Sequence, residues 1–104
     1  MKSEFGPMSE TAYYILLSLL EERHGYGIMQ YVTQITNGRI NLGAGTIYGT
    51  LGKLEKNGLI VSTREEDKRK YYQITQDGME VLKAEFERIS ELYENGKGII
   101  SNGR

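Results

Sequence analysis

Residues 45–60, GTIYGTLGKLEKNGLI, constrain the fold of this chain more than any other stretch. Ile47, Leu51 and Leu54 fall at i, i+4 and i+7, one stripe of a helix, and Asn57-Gly58 stops that helix with residues that accept a left-handed turn. Leu59-Ile60-Val61 then begins an extended run at once. The face away from the stripe holds Thr46, Gly49, Gly52, Lys53 and Lys56, small and cationic residues with almost no bulk. An interior helical glycine costs about 1 kcal/mol relative to alanine. Two of them on one exposed face imply that something approaches the backbone closely, and nucleic acid is the leading candidate.

A chain of 104 residues makes one domain, small enough that a partner subunit would help to stabilise it. It has no cysteine and one histidine, which excludes disulfides, thiolate metal sites and zinc fingers and fits a reducing, cytoplasmic setting. The longest apolar run, residues 12–20, is too short for a membrane span, and the N-terminus lacks a signal-peptide pattern. The net charge of −1 argues at first against a nucleic-acid partner, but its distribution reverses that impression. Residues 39–74 carry seven cations against four acids, net +3, whereas residues 75–94 carry two against six, net −4. A basic middle beside an acidic helix gives two faces with different partners.

In chain order, Ser9 is an N-cap, with Met8 and Tyr13 as a hydrophobic staple, for a first helix expected to reach about Arg23. Ala12, Ile15, Leu16, Leu19 and Leu20 form its stripe, and Tyr13, Tyr14 and Leu17 carry apolar surface further round than one small core needs. His24-Gly25-Tyr26-Gly27 starts a second helix that Asn37-Gly38 ends. Arg39-Ile40-Asn41-Leu42 alternates like one short strand. Residues 59–64 and 70–74 read as a hairpin with the charged tip 65–69. Thr75 caps a fourth helix, in whose first turn Gly78 leaves room for packing. Met79, Leu82, Phe86, Ile89 and Tyr93 then recur at heptad spacing, and from Asn95 a Gly-rich tail is expected to fray.

The expected architecture is thus mainly α with a small β-hairpin: a winged helix-turn-helix over residues 1–74, followed by a C-terminal dimerisation helix and tail over residues 75–104. The sequence also resembles the PadR family of bacterial transcriptional regulators over nearly its whole length. The resemblance runs through His24-Gly25-Tyr26, Gly45-Thr46-Ile47-Tyr48, Leu51 with Leu54, Gly58-Leu59-Ile60, and Lys70-Tyr71-Tyr72 with Ile74, Thr75 and Gly78. It implies a homodimeric DNA-binding repressor of the compact subgroup with a single C-terminal helix, which pairs with the partner's first helix. It also implies relief by a small aromatic effector. The chain has no tryptophan, so the interface tryptophan of some multidrug-sensing members has no counterpart here.

The expected DNA contacts are Thr46, Tyr48, Gly49, Gly52, Lys53 and Lys56 on the third helix and Arg64, Lys68, Arg69 and Lys70 on the wing. The dimer interface would take Tyr13, Tyr14, Leu17, Met79, Leu82, Phe86, Ile89 and Tyr93, and an effector cavity would draw on Met8, Tyr13, Tyr14, Ile89 and Tyr93. Each has a plainer reading. Tyr48 could be a half-buried packing residue, the lysines and the mixed-charge turn solvated surface, the fourth-helix stripe a cover for its own domain, and His24 a turn residue bonded to backbone. No catalytic residue, metal or cofactor is expected, since Glu21-Glu22 and Glu65-Glu66 look like solvated helix-end and turn residues. The competing reading is a winged-helix module that docks a protein instead of DNA.

Overall fold

The computed structural model describes residues 7–102, which leaves most of the expected loose start outside the described residues. Four helices and three short strands follow in the order α1 (Glu10–Ser18), β1 (Arg23–His24), α2 (Gly25–Ile35), α3 (Ala44–Lys56), β2 (Ile60–Glu66), β3 (Arg69–Ile74) and α4 (Gln76–Ser101). The strands form one antiparallel sheet in the order β1-β3-β2. This is the winged helix-turn-helix plan, with a hairpin wing after the third helix and one long C-terminal helix.

Local chemistry sets most of the boundaries. Ser9 caps α1 by accepting from the Ala12 amide, and Thr75 caps α4 by accepting from Gly78. The ends of α2 and α3 share one device. Gly38 N–H reaches Thr33 C=O while Asn37 sits at φ 52°, and Leu59 N–H reaches Leu54 C=O while Gly58 sits at φ 76°. Both are Schellman turns, and in the second the buried Leu54 and Leu59 supply the accompanying apolar pair.

Four expectations are corrected. The first helix stops at Ser18, because Ile74 N–H bonds the Leu19 carbonyl and the Arg23 side chain bonds that of Ser18. Those carbonyls are satisfied by tertiary partners, so Leu20, expected in the buried stripe, is 45% exposed. Residues 39–42 form no strand. They lie away from the sheet, where Thr36 and Thr33 hydroxyls bond Ile40 backbone and Asn41 bonds Gly38, and the third strand is Arg23–His24 instead. The hairpin turn is tighter than expected: the strands run to Glu66 and resume at Arg69, with Asp67 and Lys68 at φ 54° and 65°, the left-handed pair that a two-residue turn requires. Lastly, α4 does not fray at Asn95 but continues to Ser101. Gly96 and Gly98 lower helix propensity, yet no proline breaks the hydrogen-bond ladder.

One core joins these elements. Ile15, Leu16 and Leu19 of the first helical segment, Ile28 and Val32 of α2, Ile47, Leu51 and Leu54 of α3, Tyr72 of the sheet and Val81 and Leu82 of α4 are all buried in it. Each fully buried aliphatic side chain contributes on the order of 2 kcal/mol. The first third of α4 therefore belongs to this core, and the remainder projects from it. Gly78 makes the junction possible: a β-carbon there would lie 2.1 Å from the Leu59 carbonyl oxygen and 2.7 Å from Ile74. Glu85, 5% exposed, accepts from the Met8 amide at 2.9 Å and from Arg88, fastening the N-terminal segment to α4. The Arg88 guanidinium holds the Glu85 carboxyl below the usual range against the opposing effect of burial.

Candidate nucleic-acid interface

The i, i+4, i+7 stripe of α3 turns Ile47, Leu51 and Leu54 inward, and this fixes what faces out. Thr46, Tyr48, Gly49, Gly52, Lys53 and Lys56 are all exposed. A β-carbon built on Gly49 or Gly52 meets nothing within 4 Å, so neither glycine serves packing within the chain. The same holds for Gly43 and Gly45. The N-cap of α3 is Gly43, which offers no side-chain acceptor, so the first turn presents free amide donors at the positive end of the helix dipole.

Tyr48 combines both readings weighed for it. It is 55% exposed, yet its hydroxyl rests on α2 so closely that a β-carbon at Gly25 would lie 2.4 Å from it. Glycine at position 25 is therefore the complement of Tyr48, and the contact registers α3 against the start of α2.

On the wing the cations divide into two kinds. Arg64, expected to contact DNA, pairs with Glu22 and Glu66 and lies over the Tyr71 ring at 3.8 Å. Its guanidinium braces the hairpin rather than standing free. A bulge at Thr63, where Ser62 faces Tyr72 and Arg64 faces Tyr71, sets up this geometry, and the Thr63 hydroxyl donates to Glu22 as well. These bonds hold the Glu22 carboxyl below its ordinary range. Glu22 thus has a structural task that its place in an acidic pair gave no reason to expect. By contrast Lys68, Arg69 and Lys70, like Lys53 and Lys56, have no carboxylate within ion-pair distance among the described residues.

The wing root meets α2 at His24. Its Nδ1 caps the helix by accepting from the Gly27 amide at 3.1 Å, the backbone-bonded turn role expected of it. Nε2 lies 3.1 Å from Nη1 of Arg69, and the ring packs edge-on against Tyr71 at 5.1 Å. Burial, then the charge of Arg69, holds the imidazole pKa below its usual value. Beside it, Glu22, Arg23, His24, Gln30, Tyr31 and Tyr71 surround an open polar hollow of about 350 Å³.

The expected interface residues separate as well. Leu82 is buried in the core of its own chain and Met79 is half-buried against it, so the core takes up the start of the heptad stripe. Phe86, Ile89 and Tyr93 remain exposed, and the stripe continues past them through Leu92, Ile99 and Ile100, the last 75% exposed. Tyr13, Tyr14 and Leu17 are half-buried, with the two tyrosine rings edge-to-face at 6.1 Å. Met8 is buried in the core, with its amide on Glu85 of α4. No helix among the described residues is long and apolar enough to cross a membrane.

Comparison with known proteins bears directly on this arrangement. The model of the transcriptional regulator PadR-like family matches residues 15–84. The transcriptional regulator YqjI of Escherichia coli is 28% identical over 85 residues, which cover 80% of this chain and 41% of that protein. The chain thus spans well under half the length of that relative. Among solved structures, a transcriptional regulator from Clostridium thermocellum is 32% identical with a TM-score of 0.65, covering 88% of this chain and 90% of that one. A regulator of the same family from Eggerthella lenta is 27% identical with a TM-score of 0.71, over 90% of this chain and 83% of that one.

Proposed function

Since the chain belongs to the PadR-like family of transcriptional regulators and is not an enzyme, we propose that it is a sequence-specific DNA-binding repressor acting as a homodimer in the cytoplasm. The observation that carries this reading is the outward face of α3, where Gly49 and Gly52 adjoin open space and the exposed Lys53 and Lys56 have no acidic partner among the described residues. Helix α3 of each subunit enters a major groove, its glycines letting the backbone approach the duplex, while Thr46, Tyr48 and the lysines grip phosphates. Lys68, Arg69 and Lys70 of the wing reach the flanking backbone, and Arg64 holds the wing in place. No asparagine or glutamine lies on the exposed helix face, so DNA shape and the spacing of the two half-sites carry much of the specificity.

Residues 75–104 serve as the dimerisation segment. Phe86, Ile89, Leu92, Tyr93, Ile99 and Ile100 form an apolar strip too long to be left in water, and a second copy supplies the complementary surface, with Tyr13, Tyr14 and Leu17 at its edge. A small aromatic effector held between Tyr13, Tyr14, Ile89 and Tyr93 would change the separation of the two α3 helices and hence the affinity for DNA. Met8, whose amide bonds Glu85 one turn before Ile89, closes that site from the core side.

The test is a footprint on the region upstream of the chain's own gene, followed by binding to the protected duplex at several salt concentrations, with and without planar aromatic acids. Affinity should fall steeply with salt, and more gently for Lys53→Ala. Affinity independent of salt would sink the proposal in favour of a protein-docking module.

A further inference from the structure

The root of the wing contains a contact that no acceptor among the described residues satisfies. The Gly27 amide can only donate, so Nδ1 of His24 is the acceptor, and the one proton of the neutral imidazole sits on Nε2. Nε2 faces Nη1 of Arg69 at 3.1 Å, and a guanidinium has donors only. Two N–H groups therefore converge with no acceptor between them. The ring is not free to turn away, because Tyr26 stacks on it at 6.5 Å, Tyr71 packs against its edge, and rotation would forfeit the cap. The neighbouring carboxylates are engaged elsewhere, Glu22 with Thr63 and Arg64, and Glu66 with Arg64. Arg23, Arg39, Arg64 and Arg88 each have an acidic partner, whereas Arg69 has none among the described residues. An oxyanion is the group that satisfies two convergent donors, one of them permanently charged.

Resting on the DNA-binding reading above, we infer that Arg69 and the Nε2–H of His24 form a two-pronged clamp for one backbone phosphate of the bound duplex. A phosphate oxygen between the two nitrogens turns an unfavourable donor–donor contact into two hydrogen bonds to an anion. Arg69 supplies charge, and the neutral imidazole supplies direction. The same ring caps α2, whose Gly25 seats Tyr48 of α3. One phosphate so held registers the wing, α2 and α3 together on the duplex, which is how backbone contacts position a protein without reading bases.

The test uses two substitutions and a phosphate scan. His24→Ser keeps an oxygen to cap Gly27 but has no donor at the Nε2 position, and Arg69→Ala removes the charge; urea denaturation confirms that both fold. Binding to the footprinted duplex is measured for the wild type, each variant and the double variant, with single phosphates replaced in turn by neutral methylphosphonates. Each single variant should bind about tenfold more weakly, and the double variant little worse than the weaker single. One methylphosphonate position should weaken the wild type and neither variant. The salt slope should drop by about 0.9 for Arg69→Ala and stay unchanged for His24→Ser.

Independent, multiplying losses, or wild-type affinity in His24→Ser, would overturn the clamp while leaving DNA binding intact. A wild-type chain without salt-dependent affinity for duplex would overturn the clamp and the function it rests on together. Titrations followed by the His24 imidazole NMR signals separate the two phosphate sources. A shift with the duplex supports the clamp, whereas a shift with inorganic phosphate and none with duplex assigns the pair to a free anion and overturns it.

Discussion

Replacing Gly49 and Gly52 of α3 by alanine should make the protein more stable and a poorer DNA binder at once. A β-carbon at either position meets no atom within 4 Å, so the substitution creates no clash in the free protein. Each alanine then contributes its full helix-propensity advantage of about 0.8–1.0 kcal/mol, roughly 2 kcal/mol for the pair. For a domain of this size each kcal/mol raises Tm by about 4–8 °C. On the duplex the sign reverses. Each methyl group extends about 1.5 Å, one C–C bond, from a helix that the proposal brings against the groove. Hydrogen bonds of about 2.7–3.2 Å do not survive such a displacement, and losing one or two bonds to phosphate costs about 1.5–3 kcal/mol each. The affinity of the double variant should therefore fall about tenfold if one weak bond is lost and up to about ten-thousandfold if two strong ones are. Thermal unfolding and titration of the footprinted duplex at fixed salt give both numbers. Unchanged affinity in the stabilised variant would refute the claim that the glycines serve backbone approach, and reduced stability would refute the open space.

Gly78→Ala should behave in the opposite way: its β-carbon would strike the Leu59 carbonyl that also accepts from the Thr75 amide, so overpacking of about 1–3 kcal/mol should outweigh the propensity gain, seen as a lower urea midpoint. Lys68→Gly replaces a side chain at φ 65° in the wing turn and should raise stability by about 1 kcal/mol while weakening DNA binding and flattening its salt dependence. His24 makes stability pH-dependent. Burial and the charges of Arg69 and Arg64, with Tyr26 and Tyr71 packed on the ring, favour the neutral form in the folded state. The unfolded chain takes up the proton first, so this contribution is full above the ordinary pKa of 6.5 and is lost as pH falls from there through the lowered folded value. Urea midpoints between about pH 7.5 and pH 5.5 should fall for the wild type and stay flatter for His24→Ser. Finally, Phe86→Lys with Tyr93→Lys places charge on the exposed strip of α4 and should yield a folded monomer in analytical ultracentrifugation, with DNA affinity reduced at least tenfold; a dimer that persists would place the interface elsewhere.

The sequence by itself determined whatever depends on neighbours along the chain. Periodicity put Ile47, Leu51 and Leu54 inside, and so put Gly49, Gly52, Lys53 and Lys56 outside. Ser9 and Thr75 as caps, and Asn37 and Gly58 as left-handed stops, follow from the stereochemistry of single residues. The family likeness rests on such local marks, and so does the face proposed to meet DNA. What lay beyond reach depends on partners distant in the chain. The first helix ends at Ser18 because the Ile74 N–H, more than fifty residues away, bonds the Leu19 carbonyl, and the strand sought at residues 39–42 lies instead at Arg23–His24, where β3 has an open edge. Composition cannot tell Arg64 from Arg69; only the folded hairpin gives one of them Glu22 and Glu66 and leaves the other facing His24. Leu82 and Phe86 share a heptad pattern, yet one is buried within the chain and the other is not, since α4 leaves the core between them. Local hydrogen-bonding and steric preferences are written in adjacent residues, but the pairing of charges and the division of an apolar stripe are settled by three-dimensional distance.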